Sequence, residues 1–178
     1  MDPPPRLSAV YLESSTVAAA LIAGVAHHEP SRLFCARLAA HGTRVYYSQL
    51  LRLEVAQALR NLVLRRPSQL SAGIRQEYDL DQWEASAEVR EAWLRFGQAQ
   101  LEAFFDQFRE TVEVPMRLGA RTLAHCHLLM GRYNLKSYDA FHLVVANERG
   151  IGDFVTADRE FRYVDTPRIW LTRDPPRS

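Results

Sequence analysis

Residues 137–161 read Ser-Tyr-Asp-Ala-Phe-His-Leu-Val-Val-Ala-Asn-Glu-Arg-Gly-Ile-Gly-Asp-Phe-Val-Thr-Ala-Asp-Arg-Glu-Phe, and this run decides the fold. Ser137 suits a helix cap, Asp139 lies in the first turn, Ala140, Leu143 and Val144 share a helical face, and Gly150 follows the last turn. Phe154, Val155 and Thr156 then read as a short buried strand. From Asp139 to Arg149 the helical steps cover roughly 15 Å, and from Asp153 to Asp158 the extended steps cover roughly 16 Å. The chain leaves along a helix and returns along a strand by about the same distance. A helix packed on the sheet that holds this strand therefore brings Asp139 and Asp158 to one place, the carboxyl edge of that sheet.

Working outward, residues 8–12 read as a first strand, Glu13-Ser14-Ser15 breaks it, and an alanine-rich helix follows over 16–26. A second helix over 30–40 leads to a second strand at 44–48 with β-branched and aromatic character. The next helix opens at Ser48 or Gln49 and runs to Arg65, stopped by Pro67. Its apolar arc is Leu51, Val55, Ala58, Leu59 and Leu62, with Glu54 at the edge of that arc. Residues 66–82 read as a loop, and 83–109 as a long helix with Trp93, Leu101, Phe104, Phe105 and Phe108 as apolar positions. A third strand at 111–114, a helix over 116–133, the opening run with its fourth strand at 154–157, and an edge strand at 168–171 complete the chain. The expected fold class is α/β: one domain over 8–172, with a central, mostly parallel five-stranded sheet flanked by helices. Residues 66–105 form a helical insertion, either packed on the domain or extended as an arm for dimerisation or substrate contact. Residues 1–7 and 173–178 read as flexible tails.

The 178 residues, 47% of them hydrophobic, are enough for one domain with a real core. There is no run of 18 or more apolar residues, and the start, Met1-Asp2-Pro3-Pro4-Pro5, lacks the pattern of a leader, so no membrane partner and a cytoplasmic location are expected. Cys35 and Cys126 are isolated and suit reduced thiols, His125 and His127 lie on different faces of a helix, and His27-His28 suits a helix end, so no zinc site is expected. The formal charge is +1, but if four acids gather in one site the remainder carries +5, mildly favourable to a polyanion. Lys136 is the single lysine, and the other basic residues are arginines suited to bidentate phosphate contacts, although base composition explains that bias equally well. No Gly-x-x-x-x-Gly-Lys, Gly-x-Gly-x-x-Gly or Gly-x-Ser-x-Gly pattern supports a nucleotide-cofactor or serine-hydrolase reading.

Four acids share one address: Glu13 and Asp158 at strand carboxyl ends, Glu54 early in a helix leaving a strand, and Asp139 at the start of a helix that precedes one. Open α/β sheets bind ligands at that edge. Each acid alone has an ordinary explanation as a cap, a turn residue or a helix-edge charge. Together they repel: two carboxylates ~5 Å apart at an effective dielectric of ~20 oppose each other by roughly 3 kcal/mol. Such a group calls for shared protons or a cation, and all-oxygen ligands select Mg²⁺ or Mn²⁺ before zinc.

The motifs Val10-Tyr11-Leu12-Glu13-Ser14-Ser15, Glu54 within residues 48–55, Ser137-Tyr138-Asp139-Ala140-Phe141-His142, and Val155-Thr156-Ala157-Asp158-Arg159-Glu160-Phe161 resemble the four acidic motifs of PIN-domain ribonucleases. The nearest group is the VapC-like toxins of type II toxin–antitoxin pairs, and the likeness covers most of the chain outside 66–105. The resemblance implies a Mg²⁺- or Mn²⁺-dependent endoribonuclease acting on RNA, homodimerisation, and inhibition by a small antitoxin protein. It implies that Glu54, Asp139 and Asp158 are catalytic metal-site acids, with Glu13 reaching the metal directly or through water. Ser15 and Thr156 would support them, and His142 would contact the site or be a satisfied structural histidine. Arg52 and Arg159 are candidates for holding substrate phosphate. Two departures stand out: the first-strand acid is Glu13 where the family usually has aspartate, and the 66–105 insertion lengthens the chain. The longer Glu13 side chain keeps a second reading open, a catalytically degenerate PIN-like module that binds RNA or protein. A receiver-like phosphoacceptor is a weaker third, because that chemistry wants a lysine near the acids and Lys136 is the only one.

Overall fold

The computed structural model describes residues 7–23, 25 and 27–172. Five strands, β1 (Ala9–Leu12), β2 (Arg44–Ser48), β3 (Thr111–Val114), β4 (Asp153–Thr156) and β5 (Arg168–Leu171), form one sheet. Their order is β3-β2-β1-β4-β5, and every neighbouring pair is parallel. The sheet is wholly parallel where a mostly parallel one was expected. From β1, at the centre, the chain builds outward through β2 and β3 and then crosses back to β4 on β1's other side. That reversal opens a crevice beyond the carboxyl ends of β1 and β4, where open α/β sheets receive their ligands.

Seven helices cover the sheet among the described residues: α1 (Ser14–Leu21), α2 (His28–Ala40), α3 (Leu50–Arg65), α4 (Ala72–Glu77), α5 (Ala87–Phe105), α6 (Ala120–Tyr133) and α7 (Ser137–Glu148). The two-residue period of β1 assigns the layers. Val10 and Leu12 enter the core that also holds Val17, Leu51, Leu59 and Trp93, whereas Tyr11 enters the core of Leu143, Phe154 and Phe161. Helix α7 is buried at every position from Ala140 to Ala146, because α6 packs on it from outside. The apolar residues of 137–148 are thus inside on all sides, not along one face.

Several boundaries differ from the sequence expectation. Residues 66–82 are not an open loop: they hold a 3-10 turn at Pro67–Gln69, helix α4 and a second turn at Leu80–Gln82. The Ser71 hydroxyl caps α4 by accepting from Ile74 N at 3.3 Å, and Leu80 and Trp83 anchor the segment in the core. The following helix starts later, where the Ser86 hydroxyl accepts from Val89 N at 3.2 Å, and ends at Phe105. Helix α6 begins at Ala120 after Gly119, helix α1 ends at Leu21, and β4 begins at Asp153. His28 opens α2, its Nδ1 2.8 Å from Ala19 O, instead of closing α1. Leu7, expected in a tail, is buried, and its carbonyl accepts from the Thr43 hydroxyl at 2.9 Å. Residues 1–6, Gly24, Ala26 and 173–178 lie outside the described part.

The insertion packs on the domain. Trp93 Nε1 donates to the Leu59 carbonyl at 3.2 Å, and the Phe105 ring stacks on Tyr47 of β2 with centroids 3.9 Å apart. Gly97 of α5 faces Leu59 of α3 so closely that a Cβ there would collide with the leucine's Cδ1. Both residues are buried. Gly97→Leu is therefore expected to destabilise by ~1–3 kcal/mol through overpacking, lowering the melting temperature by about 2–4 °C per kcal/mol. An unchanged or raised thermal midpoint would refute this contact.

Candidate metal centre

Glu13 closes β1 and caps α1. Its Oε1 accepts from Ser14 Oγ at 2.5 Å and Ser15 N at 3.0 Å, and its Oε2 accepts from Ser15 Oγ and from Thr156 Oγ1 at 2.9 Å. The side chain is buried. A carboxylate offers about four lone-pair sites, and four donors fill them. The N-terminus of α1 adds a favourable dipole. The carboxylate thus braces the ends of β1 and β4. The brace continues outward, because Ser15 Oγ accepts from Ala157 N at 3.0 Å and Thr156 Oγ1 from Asp158 N at 2.9 Å. Ser15 and Thr156 each accept from the backbone leading to Asp158 while donating to Glu13.

Asp158 sits one residue beyond Ala157, where the chain leaves the sheet for a 3-10 turn at Arg159–Tyr163, and its Oδ1 accepts from Glu160 N at 2.9 Å. That turn folds Glu160 back. Carboxylate oxygens of Asp139, Asp158 and Glu160 all lie within 4.8 Å of one another. Asp139 reaches them from the first turn of α7, a favoured place for a negative charge. The α7 cap is Lys136, without a side-chain cap bond, instead of Ser137. Lys136 Nζ bonds Glu160 Oε1 at 3.0 Å across the rim.

Asp139 Oδ2 is buried and has no hydrogen-bond partner. Burial first, then the negative charges of Glu13 and Asp158, push the Asp139 carboxyl up to about 7, with Lys136 opposing and Glu54 adding to the rise. An orphaned oxygen in a triad of converging carboxylates fits a hard divalent cation such as Mg²⁺ or Mn²⁺, and no soft ligand is present to draw zinc.

Glu54, on α3, stands outside the triad but within electrostatic reach of Asp139. Its Oε2 is 2.5 Å from Nε2 of the fully buried His142, whose Nδ1 lies 2.7 Å from the Tyr11 hydroxyl and 3.3 Å from Ser48 Oγ. A carboxylate only accepts, so Nε2 carries a proton and donates to Glu54. Burial holds the Tyr11 phenol protonated, far above its ordinary range, so the hydroxyl is the donor. His142 is a relay from β1 to α3 that fixes Glu54.

Arg52, a candidate phosphate ligand, is already engaged: Nε bonds Glu113 Oε2 at 2.6 Å and an Nη bonds Glu102 Oε1 at 2.9 Å. Those contacts tie α3 to β3 and α5, and a phosphate would have to break them. Arg159 is exposed at the start of the turn after Asp158. Sequence reasoning gave no role to Glu160, Lys136 or Tyr11. Glu160 lies only two residues after Asp158, one short of the 3-10 repeat, so no simple period in the sequence placed it beside that acid.

A family model described as PIN domain matches residues 10–167. Among solved structures, the crystal structure of Mycobacterium tuberculosis VapC20, described as a sarcin–ricin loop cleaving toxin, aligns over 88% of this chain and 95% of that one, with a TM-score of 0.52 and 16% identity. No curated protein matches the chain.

In metal-free protein the Asp139 carboxyl holds its proton more tightly when folded, so stability falls as pH rises from about 4 to about 7. Asp139→Asn removes that loss. At pH 8 without metal the variant is expected to melt higher by an amount worth ~1–2 kcal/mol after discounting for solvent screening, with the gain vanishing near pH 4. Added Mg²⁺ is expected to raise the wild-type midpoint and leave the variant's nearly unchanged. Parallel pH profiles, or an equal response to Mg²⁺, would show that Asp139 is neither strained nor a ligand.

Proposed function

The chain belongs to the PIN-domain family, and from that premise we propose that it is a metal-dependent endoribonuclease, the toxin member of a type II toxin–antitoxin pair. The observation that carries the reading is the orphaned Asp139 oxygen within 4.8 Å of carboxylate oxygens of Asp158 and Glu160, at the crevice of a parallel sheet. Asp139, Asp158 and Glu160 would hold the Mg²⁺ or Mn²⁺. When bound, such an ion lowers the pKa of a water and offsets charge on a phosphodiester oxygen.

The protein's own groups do the rest. Glu54, held by the His142 relay, accepts the proton of the attacking water. Glu13 keeps the two strand ends together and so sets the Asp139–Asp158 separation. Lys136, bonded to Glu160, balances charge at the open side. The RNA's own phosphates supply the negative groups that the arginine-rich surface favours. A small antitoxin that covers the crevice would silence the site.

The filled acceptor sites of Glu13 favour one alternative, a module that binds RNA through the same crevice without cutting it. Incubation of purified, folded protein with mixed structured RNA, including a sarcin–ricin loop hairpin, in Mg²⁺, Mn²⁺ or EDTA separates the two. Cleavage with metal alone, reduced about 100-fold or more in Asp139→Asn, is the expected result. RNA binding unaffected by EDTA and no product in any metal would establish the binding module.

A homodimer is the proposed assembly. Large apolar side chains stand exposed where β3 leads into α6: Met116, Leu118, Leu123 and Leu128. Leu128, 69% exposed, is the most prominent. Leu128→Glu is expected to shift sedimentation from dimer to monomer with the melting temperature little changed. A wild-type monomer would remove this surface from consideration.

A further inference from the structure

A cleft of about 470 Å³ runs between α1 and α3, lined at one end by Ser15 and Asp158 and at the other by Arg65 and Arg66. Glu54 to Arg65 covers roughly 16 Å of α3, so the arginines stand well away from the acidic end of that helix. Between the two ends the floor is apolar and built of small or branched side chains, among them Ala18, Ala58 and Leu62. We propose that this cleft is a nucleotide subsite, which takes an unpaired base of the RNA strand beside the phosphodiester at the metal centre and fixes the neighbouring phosphate on Arg65 and Arg66. The proposal rests on the nuclease reading and adds to it the cleft that seats a nucleotide beside the cut and the groups that select it.

Charge complementarity chooses this occupant. Arg65 and Arg66, at the carboxyl end of α3, are exposed and take part in no ion pair among the described residues, whereas Arg52 on the same helix is neutralised by Glu102 and Glu113. A ligand that bridges a cation-loaded acidic end and a guanidinium end must carry anionic groups at both ends and an apolar face between them. A nucleotide step has that form: two phosphates joined through a ribose that carries a flat base to the side. The alanines leave room for the face of a base, and the volume lies within the ~300–1,000 Å³ of small-molecule clefts. Asn61 supplies the polar edge. Its Oδ1 accepts from Gln57 Nε2 at 3.0 Å, which turns the Nδ2 donor toward other acceptors. Asn61 lines the cleft, so that donor can read an acceptor on a base.

The test uses full-length protein carrying Glu54→Gln, which removes the proposed base so that RNA stays intact while Asp139, Asp158 and Glu160 remain to hold the ion, with Mg²⁺ present and labelled single-stranded U, C, A and G homopolymers as probes. Fluorescence anisotropy is expected to show Arg65→Ala/Arg66→Ala binding about 10-fold or more weakly, with the salt-dependence slope of log K reduced by about 1.4, the value for two lost phosphate contacts on a single strand. Ala58→Leu, which fills the floor, is expected to weaken binding while keeping the wild-type slope. Asn61→Asp is expected to change the ranking of the four homopolymers. Thermal melts confirm that each variant is folded, and the two kinds of variant fail independently. Unchanged affinity and slope in both the arginine and the Ala58 variants, while protein with Glu54 restored still cleaves, would overturn the subsite and leave the nuclease standing. Loss of a partner protein's binding with RNA affinity intact would assign the cleft to a protein segment and also overturn it. A parent protein that neither binds nor cleaves RNA would sink both.

Discussion

Four hydrogen bonds onto the Glu13 carboxylate hold the functional edge of this protein together. They come from Ser14, from the backbone and side chain of Ser15, and from Thr156, and so join β1, α1 and β4 at the one point where the sheet's direction of growth reverses. A buried carboxylate without such donors would cost several kcal/mol. With them it becomes a fixed negative charge that also fixes its donors. The same hydroxyls orient the backbone of Ala157 and Asp158, so the place of Asp158 at the end of β4 follows from the state of the acid at the end of β1.

The consequence is a small volume with more negative charge than it can neutralise. Lys136 offsets part of it from the rim, bonded to Glu160. Asp139 bears the imbalance, because its Oδ2 is buried without a partner and its carboxyl is pushed up to about 7. Local stability is given up here, as expected where a site is built for an ion. The surroundings compensate: α7 is buried from Ala140 to Ala146, and the Tyr11–His142–Glu54 relay fastens α7 to β1 and α3.

The insertion plays a structural part in this arrangement. Arg52 spans from α3 to Glu113 on β3 and Glu102 on α5, and Trp93 and Gly97 of α5 close on Leu59. Helix α3 is thereby clamped along its length, which fixes Glu54 near one end and Arg65 and Arg66 at the other. The arginine that looked available for phosphate is committed to the scaffold, and the uncommitted guanidiniums lie farther along the same helix.

The order of elements, the parallel sheet and the meeting of Asp139 with Asp158 were legible in the linear chain, because helical rise, strand rise and the two hydrophobic periods are local properties that residues 137–161 carry in themselves. The edge strand at 168–171 and the second strand at 44–48 were readable for the same reason. Residues 66–82 were not, since Leu80 and Trp83 are held by contacts with a core made elsewhere and their own periodicity is weak. The acid at position 13 was visible, but its role as a brace depends on donors more than a hundred residues away at Thr156. Glu160 joined the site only through a 3-10 turn, and Arg52 left the list of phosphate ligands only through Glu102 and Glu113. Backbone periodicity is written in neighbouring residues, so sequence alone determined the frame and the address of the acids. Which lone pairs and which charges are already spoken for depends on side chains that folding brings together, and tertiary structure alone decided that.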